Sequence, residues 1–562
     1  MKLLNVLKQL APYRELVKCL EAHKTPFVCT GLSHIHKAHF AAGLRADTNR
    51  PVVLIAPDEP AALRLCEDIA AFEPGCAVLH YPAREWLLRP AEATSREYEF
   101  LRMGCLEQLR TGRPIVVASA EAAMQTTISP DALAKNSLLL KGSFDEGLEG
   151  LVRRLSAAGY TRVEQVEGVC TYAVRGGIAD FWAPGAPSPV RVEFWGDEID
   201  SMAWFSAADQ RRGDICDEVV LTPAAEAALS SGDLIGLIDR WLEKQKKNVR
   251  VSEELSHLRQ LAADGIAPQN AADRFLPVLY GREYTFLDHL PDDGVLLLSD
   301  AAALREALSS AGSLLREDMT ALLEEGICIP GCDRFLGDFD DLMCAAADRD
   351  SVLLDAFARS LSDFPVRGQA PVPAAALAPW GGELSSLIED VRPYLTTEFC
   401  VVALLPTKRG CDTLVRDLIE QGIPASYEAD PTPCARTVVV TDMTISAGFE
   451  YPDAKVAVIS HARAAAPRRV KKRRAGDAIR SLSDLTEGDY VVHAAHGIGI
   501  FSGVVKKDVL GVTKDYIKIR YHGSDTLFVP VTQLDLVSKY IGKSEDGAVR
   551  LSRLGSPEWQ KT

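Results

Sequence analysis

The residues around position 500 constrain the fold most strongly, because they form short runs of β-branched and aromatic residues separated by glycines. We predict strands over residues 490–492, 500–505, 516–521 and 526–529, since such residues suit a pleated, half-buried strand. Pro530 follows the last run and cannot donate a backbone hydrogen bond to a neighbouring strand, so it marks the end of that strand. The pattern indicates a small, twisted all-β module, and a module of this size usually binds a partner rather than performing chemistry.

The chain of 562 residues is too long for a single hydrophobic core, and its length predicts about three to five domains. It contains no run of about 18 apolar residues that could cross a bilayer, so we expect no membrane partner. The N-terminus does not read as a signal peptide, because Lys8 interrupts the apolar stretch and no small-residue cleavage site follows. We therefore predict a cytoplasmic protein.

The cysteines and the net charge exclude two further classes of site. The 13 cysteines lie mostly in apolar runs, which favours buried, reduced thiols. Cys328 and Cys332 are close in sequence, but no second Cys or His pair follows at zinc spacing, so we predict no metal site. The net charge of −16 argues against binding of nucleic acid along the whole chain, because non-specific affinity comes from Lys and Arg that neutralise phosphates. Any DNA contact would have to be local.

Changes in composition divide the chain into segments, and buried apolar runs alternating with amphipathic helical patterns predict parallel α/β layers. A basic, non-periodic run over residues 468–474 suits a solvated linker, with attraction to DNA or to an acidic partner surface as the alternative. The predicted segments are residues 1–132 (first part of an α/β domain), 133–220 (β-rich insert), 221–346 (continuation of the first domain), 347–462 (small α/β domain), 463–482 (basic linker), 483–545 (β module) and 546–562 (start of a helix).

A phosphate-binding loop of pattern GxxxxGK[ST] would lie between the first apolar run and the following helix, but its pattern is incomplete. Gly31 and Lys37 fit the spacing, whereas His36 replaces the second glycine and Ala38 replaces the Ser or Thr. That glycine allows close approach of the backbone to the phosphates, and that hydroxyl ligates magnesium. We therefore predict a degenerate loop that is kept for its fold and does not support nucleotide hydrolysis.

The β module resembles the RNA-polymerase-interacting module shared by CarD-type regulators and transcription-repair coupling factors, the Mfd family. Its opening matches the pattern GDYVVHxxHGIGxxxG from Gly488 to Gly503. The family's closing pattern, YxxLxYxxxDxLxVPVxQLxLVSxY, is matched by Tyr516, Tyr521, Asp525, Leu527, Val529, Pro530, Val531, Gln533, Leu534, Leu536, Val537, Ser538 and Tyr540.

The preceding segments resemble the module that these coupling factors share with the excision-repair helicase UvrB. The family pattern is YxRxxxVxxxGxFxxRGGIxDIFP, followed by xRxEFFGDEIxSxRxFDxxxQRS. The chain matches it over residues 159–166, 174–181, 191–200 and 209–212, and departs from it at Trp182, Ala183, Trp195 and Ser206. Residues 554–562 resemble the LGxxEWxK junction that precedes the family's motor domains, so the resemblance implies the N-terminal portion of a longer protein.

The resemblance implies a surface for UvrA on the β-rich insert. Arginine suits such a surface because its planar guanidinium binds carboxylates in a bidentate manner. Alternatively, Arg175 pairs internally with Asp180 or Glu193, and Phe181 belongs to the core. The UvrA-binding residues implied by the resemblance are Arg162, Tyr172, Arg175 and Phe181.

The resemblance also implies that the β module docks on the polymerase β subunit by adding an edge strand. We interpret His493 and His496 as a strand end and a turn rather than as metal ligands. The implied edge consists of Val504, Val505, Lys506, Lys507, Asp508 and Val509, before a turn at Gly511.

The implied fold class is multidomain α/β and α+β: a UvrB-like α/β domain with a degenerate phosphate loop and a β-rich insert, a small α/β domain, and a twisted β module that is CarD-like and Tudor- or SH3-like. The implied function is to couple transcription to nucleotide-excision repair by binding stalled RNA polymerase and recruiting UvrA. No cofactor is expected for this portion. ATP, magnesium and most of the double-stranded DNA contact would belong to a motor beyond residue 562.

Two alternatives stay open. The chain could be an active UvrB-like excision-repair helicase, against which His36 and Ala38 argue. It could also be a stand-alone CarD-like transcription regulator with enlarged N-terminal domains.

Overall fold

The computed structural model describes residues 2–86, 88, 96–142, 144–227, 229, 231–264, 271–357, 364–461, 488–493, 497–509, 512–521, 526–530 and 537–539. The chain divides into two compact units, residues 1–463 and residues 464–562. Its architecture is mixed α/β with several sheets. Among the helices described, none is long and apolar enough to cross a membrane. The predicted linker over 463–482 and the predicted helix start over 546–562 lie outside the described residues.

The first unit begins with a 3-10 helix over Lys2–Gln9, after which strands and helices alternate. The elements of this first part are α1 (Ala11–Glu21), β1 (Phe27–Thr30), α2 (His34–Thr48), β2 (Val52–Ala56), α3 (Glu59–Phe72), β3 (Val78–Tyr81), α4 (Glu97–Thr111), β4 (Ile115–Ser119), α5 (Ala120–Met124) and α6 (Pro130–Asn136). All residues of β2 and β4 are buried, which explains why these strands are continuous apolar runs.

The β-rich insert contains a six-stranded sheet and a separate two-stranded pair. Its elements are β5 (Leu138–Lys141), α7 (Gly147–Ala157), β6 (Thr161–Arg162), β7 (Thr171–Arg175), β8 (Ile178–Phe181), β9 (Val190–Trp195), β10 (Glu198–Phe205), β11 (Arg212–Ile215) and β12 (Glu218–Leu221). The sheet order is β11-β10-β9-β8-β7-β6, antiparallel except between β6 and β7. β5 and β12 pair with each other, so the chain enters and leaves the insert at adjacent strands.

After the insert the chain returns to the first sheet. A helical segment comes first and includes 3-10 helices over Ala271–Phe275 and Phe286–His289. The regular elements are α8 (Ser231–Lys244), α9 (Val249–Ala263), α10 (Leu276–Leu279), β13 (Val295–Ser299), α11 (Ala301–Glu325), α12 (Phe339–Ala347), β14 (Ser351–Asp355) and β15 (Gly368–Pro371).

The completed first sheet has seven strands in the order β15-β1-β14-β13-β2-β4-β3, and every neighbouring pair is parallel. Helices α1, α2 and α3 cover one face, and α4, α5, α11 and α12 cover the other. β14 and β15 belong to this sheet although they follow residue 346, so the domain boundary predicted there is wrong. A short buried apolar run such as residues 352–354 suits either sheet, and its strand partners cannot be read from composition.

A second sheet completes the first unit. Its elements are β16 (Ala375–Leu377), α13 (Leu384–Thr396), β17 (Cys400–Leu405), α14 (Lys408–Glu420), β18 (Ala425–Tyr427), β19 (Val438–Asp442), β20 (Gly448–Tyr451) and β21 (Val456–Ser460). The strand order is β16-β20-β21-β17-β19-β18. Phe449 and Tyr451 of β20 pack on histidines of α2, which joins the two sheets.

The second unit is an antiparallel five-stranded sheet of order β25-β24-β23-β22-β26. β25 ends at Pro530, as predicted, and β23 is longer than predicted. The strands are β22 (Tyr490–His493), β23 (Gly497–Val509), β24 (Val512–Arg520), β25 (Thr526–Pro530) and β26 (Val537–Lys539).

A buried network of charged side chains joins three segments of the first unit. Arg102 and Glu226 are both fully buried, and Arg102 Nε lies 2.5 Å from Glu226 Oε1. Arg84 bridges Glu226 and Asp273 through its two terminal nitrogens, at 2.6 and 2.5 Å. Burial raises the pKa of the Glu226 carboxyl, but the two guanidinium groups outweigh burial and leave that pKa below its ordinary value. The network thus ties α4 to the segments on either side of α8 and α9.

We expect Arg102→Met to lower the free energy of unfolding by about 3–5 kcal/mol, because it removes one cation from a buried carboxylate. Urea unfolding followed by circular dichroism measures the change. Arg154→Met is the matched control, because the ion pair of Arg154 with Glu146 is exposed and its loss should change stability little. Equal effects of the two substitutions would contradict the role assigned to the network.

Candidate partner-binding sites and the degenerate phosphate loop

The loop between β1 and α2 is shorter than a phosphate-binding loop. Gly31 has φ +87°, and a Cβ at this position would lie 2.5 Å from the main-chain oxygen of Val372, so only glycine fits. Helix α2 already begins at His34, with Ser33 as its N-cap. The residues that would surround a phosphate are therefore part of a helical turn.

Main-chain donors of this loop are occupied by internal acceptors. Leu32 N–H donates to the main-chain oxygen of Asp355 at 3.2 Å. Ser33 N–H donates to Nδ1 of His36, also at 3.2 Å, and closes a capping box. Because a phosphate loop binds its ligand through such amide groups, these contacts compete with any phosphate.

Lys37 pairs internally with a carboxylate at the end of β13. Its ammonium donates to Asp300 Oδ2 and, at 3.1 Å, to Ser299 Oγ, and its side chain is only 3% exposed. Burial lowers the pKa of the Lys37 ammonium, while Asp300 acts in the opposite direction. The other oxygen of Asp300 accepts a hydrogen bond from Ala356 N–H at 2.9 Å. The ammonium that a phosphate loop would offer to its ligand is thus already paired with a carboxylate of the same chain.

His36 and His39 face the second sheet. The His36 ring lies 5.2 Å from the Tyr451 ring and 5.7 Å from the Phe449 ring. His39 lies 4.7 Å from the ring of Phe72, and its Nδ1 is 3.1 Å from the Tyr451 hydroxyl. Burial lowers the pKa of His36 to about 4 and that of His39 to about 3, so both rings are neutral at pH 7. Ala38 is buried on the same helix.

The insert places the predicted UvrA-binding arginines on opposite faces of its sheet. Arg162 is exposed on the edge strand β6, in register with Tyr172 of β7. Arg175, at the end of β7, is exposed and donates to the main-chain oxygen of Glu164 at 2.5 Å. Because side chains alternate along a strand, Tyr172 and Arg175 point to opposite faces, and Arg162 shares the face of Tyr172.

Tyr172 and Phe181 are core residues in this structure, so their predicted role as surface contacts is not supported. Tyr172 is 4% exposed, and its hydroxyl lies 2.9 Å from Ser156 Oγ. Phe181 is fully buried and packs edge-on to Tyr160 at 6.3 Å. A motif match identifies such positions, but the alternation of side chains decides which of them reach the surface.

The internal ion pairs proposed for Arg175 are absent among the residues described. Asp180 forms a bidentate pair with Arg191, with both distances at 2.8 Å. Glu193 accepts instead from Arg212, at 3.3 Å, and from Ser201, at 2.8 Å. Arg175 therefore keeps its charge on the open face of the sheet.

Trp195 is a further candidate contact, although in the sequence it is only a departure from the family pattern. It is 85% exposed, directly before the β9–β10 turn. Register pairs Arg175 with Ile178 and Ile178 with Glu193, so Arg175, Glu193 and Trp195 share one face. An aromatic residue beside the turn at Gly196 was the available signal, but its exposure could not be read from the sequence.

The candidate edge of the β module lies in the outer half of β23. Residues 504–509 pair with β24, whereas β22 pairs with β23 only over residues 497–500. Among the strands described, one side of residues 504–509 is therefore unpaired, as edge-strand addition requires. His493 is the last residue of β22, as expected for a strand end. His496 and the turn at Gly511 lie outside the described residues.

No group of three or more His, Cys, Asp or Glu side chains in the described part of the chain is arranged to hold a metal ion. Cys328 and Cys332 are both buried.

Two segments of the chain match families of known proteins. Residues 143–226 match the UvrB interaction domain, and residues 485–541 match the CarD-like/TRCF RID domain. The first match covers the insert, and the second covers the β module.

The whole chain is similar to transcription-repair-coupling factors. It is 27% identical to that of Bacillus subtilis (strain 168) over 572 residues, covering 99% of this chain and 48% of the relative. It is 26% identical over 556 residues to that of Staphylococcus epidermidis (strain RP62A), and 26% over 563 residues to that of Staphylococcus haemolyticus (strain JCSC1435). Each of these two covers 95% of this chain and 46% of the relative. The chain thus spans about half the length of the relatives it matches.

The sheets and the two matches together define a multidomain α/β protein that carries a UvrB interaction domain and a CarD-like domain. The chain fits the N-terminal part of a transcription-repair-coupling factor, so the resemblance seen in its motifs is confirmed.

We expect acid to destabilise the first unit through the buried histidines of α2. An unfolded histidine takes up a proton below about pH 6.5, whereas His39 in the fold does so only near pH 3. The contribution of neutral His39 to the free energy of unfolding is therefore fully present above about pH 6.5. It is lost as the pH falls towards the folded pKa. Titration of His39 should lower the free energy of unfolding by about 2 kcal/mol at pH 5 relative to pH 7.5.

Urea unfolding of wild type and His39→Phe at the two pH values measures this contribution. The variant should lose less stability than wild type on acidification, because the titrating group is gone. His257→Phe is the control, since His257 is exposed on α9 and should leave the pH dependence as in wild type. The same acid sensitivity in His39→Phe and wild type would contradict the assignment.

Proposed function

We propose that this chain is a non-catalytic adaptor that couples transcription to nucleotide-excision repair, binding stalled RNA polymerase through its β module and recruiting UvrA through its insert. The observation that carries the proposal is the presence, in one chain, of a UvrB interaction domain and a CarD-like domain. The exposed face of the insert and the one-sided edge of β23 are separate surfaces on separate units. Two partners could thus bind without competing for the same residues.

The UvrA surface that we propose combines Arg175 and Trp195 on the open face of the insert sheet. A tryptophan supplies a large apolar area, and an arginine supplies a fork for carboxylates, the two residue types most enriched at energetic centres of interfaces. Arg162 remains a candidate, but it lies on the opposite face. Substitution of Arg162 therefore tests which face of the sheet UvrA contacts.

The polymerase surface that we propose is the outer half of β23, residues 504–509, which would pair with an edge strand of the β subunit. Main-chain hydrogen bonds of an added strand supply affinity, and side chains on alternate positions select the partner. Val505 is the residue of this stretch whose side chain is described, and it is partly exposed. A charge at that position should oppose close strand addition.

We propose further that the first sheet is a UvrB-like scaffold with a degenerate phosphate loop, and that the β module has a CarD-like, Tudor- or SH3-like fold. This portion then requires no ATP or magnesium. The ATP-driven translocation of double-stranded DNA would belong to the part of the family's proteins that this chain does not span. A cytoplasmic location, where polymerase and UvrA are found, is part of the same proposal.

Pull-down of purified UvrA and of the polymerase β subunit tests the two surfaces. Arg175→Ala and Trp195→Ala should each weaken UvrA binding by about 2 kcal/mol, a loss of about 30-fold, and leave polymerase binding unchanged. Val505→Asp should reduce polymerase binding and spare UvrA. Arg154→Ala, an exposed arginine on helix α7 of the same insert, is the control and should bind both partners as wild type does.

If Arg175→Ala loses only UvrA binding and Val505→Asp loses only polymerase binding, neither variant is misfolded. Loss of both partners in either Arg175→Ala or Val505→Asp would contradict two independent surfaces. Loss of UvrA binding in Arg162→Ala, with normal binding in Arg175→Ala and Trp195→Ala, would move the UvrA site to the other face of the sheet. Binding of neither partner by the folded wild type would refute the adaptor proposal.

The degenerate loop is tested by restoring its consensus residues. We expect His36→Gly/Ala38→Thr to bind no fluorescent ATP analogue, because Lys37 stays paired with Asp300 and the helix still begins at His34. Adding Asp300→Asn to this variant removes the carboxylate that pairs with Lys37 while the helix still begins at His34. The triple variant therefore separates the effect of the ion pair from the effect of the helix start. DNA-stimulated ATP hydrolysis by the wild-type chain would refute the non-catalytic proposal and favour the UvrB-like helicase.

A further inference from the structure

The turn between α8 and α9 forms a basic surface that the proposed adaptor role does not use. It borders an open, shallow concavity of about 500 Å³. Within the described part of the chain, no carboxylate lines it. The lining residues are Lys244, Gln245, Lys247, Asn248, Val249 and Arg250.

Contacts with α8 and α11 position two of the three cations through uncharged groups. Lys244 Nζ lies 4.3 Å from the centre of the Trp241 ring, which leaves its charge in place. Arg250 donates to the main-chain oxygen of Glu324 at 2.6 Å, which positions the guanidinium through an uncharged acceptor. Lys246 differs, because it forms an ion pair with Glu243 at 2.6 Å and does not line the site.

The site is a local exception in an acidic chain. The net charge is −16, so a surface lined by three cations and no carboxylate stands against the average charge of the molecule. A chain with this net charge can contact DNA only where positive charge is concentrated, and the α8–α9 turn meets that condition.

The composition of the surface favours a phosphate backbone over an acidic protein. A specific protein interface needs large apolar or aromatic anchors at its centre, and Val249 is the only apolar residue that the described lining supplies. Two of the three cations are lysines, which act as point charges and suit phosphates, whereas bidentate carboxylate recognition requires arginine. Backbone phosphates need only cations and hydrogen-bond donors, without base-specific geometry.

We propose that the α8–α9 turn binds the phosphate backbone of duplex DNA, through Lys244, Lys247 and Arg250 and without sequence preference. This contact is distinct from the UvrA and polymerase surfaces and does not rest on either of them. It places a fixed DNA contact on the first unit, separate from the basic run at residues 468–474.

The test compares the salt dependence of DNA binding in two variants of the whole chain. Fluorescence anisotropy of a labelled duplex, from about 50 to 200 mM salt, gives the slope of log K against log salt. Lys244→Gln/Lys247→Gln/Arg250→Gln should reduce the magnitude of that slope by about 2–3, because each phosphate contact contributes about 0.9. The matched control, Lys18→Gln/Lys24→Gln/Arg416→Gln, removes the same charge from exposed positions elsewhere and should keep the wild-type slope.

Both variants retain residues 468–474, so any contribution of that run cancels in the comparison. Lys246→Gln adds an internal control, since Lys246 is already paired and its loss should leave the slope unchanged. Equal slopes in the patch variant and the matched control would overturn the proposal. So would displacement of the duplex by millimolar inorganic phosphate, which would indicate a small-anion site, or selective loss of binding to a polyglutamate peptide, which would indicate an acidic protein partner. Normal UvrA and polymerase binding in the patch variant shows that it is folded.

Discussion

The ion pair between Lys37 and Asp300 fixes the arrangement at the carboxyl end of the first sheet. It links the start of α2 to the end of β13, two elements far apart in the chain, at the edge of the sheet where open α/β proteins bind ligands. In a nucleotide-binding protein a phosphate would occupy this place. Here a carboxylate from the same chain neutralises the lysine, so its charge is balanced without a ligand.

A residue of the same segment also contacts the second sheet. The residue that replaces the consensus glycine, His36, accepts a hydrogen bond from Ser33 and presents its ring to Phe449 and Tyr451. One substitution thus both closes the phosphate loop and supplies an aromatic contact to β20. An acid-sensitive junction is the physical cost of using a buried histidine for this purpose.

How much the sequence could predict depended on whether a feature is local. Continuous apolar runs such as residues 52–56 correctly indicated strands buried on both faces, and the incomplete GxxxxGK pattern lies between a strand and a helix, as predicted. Strand partners and faces are not local. The family motif therefore implied surface roles for Tyr172 and Phe181, whereas both are buried, as the alternative for Phe181 had it. The predicted boundary at residue 346 likewise divides strands that belong to one sheet. Asp300 could not be linked to Lys37, because only the parallel pairing of distant strands brings them together.

The pairing of β5 with β12 has an evolutionary consequence. The two connections of the insert run side by side, so the whole β-rich module is joined to the rest of the unit in the way that a single surface loop would be. Its exposed face can therefore be remodelled or lengthened while the seven-stranded sheet keeps its register. Natural variation in partner choice within such proteins should accordingly concentrate beyond this two-stranded neck.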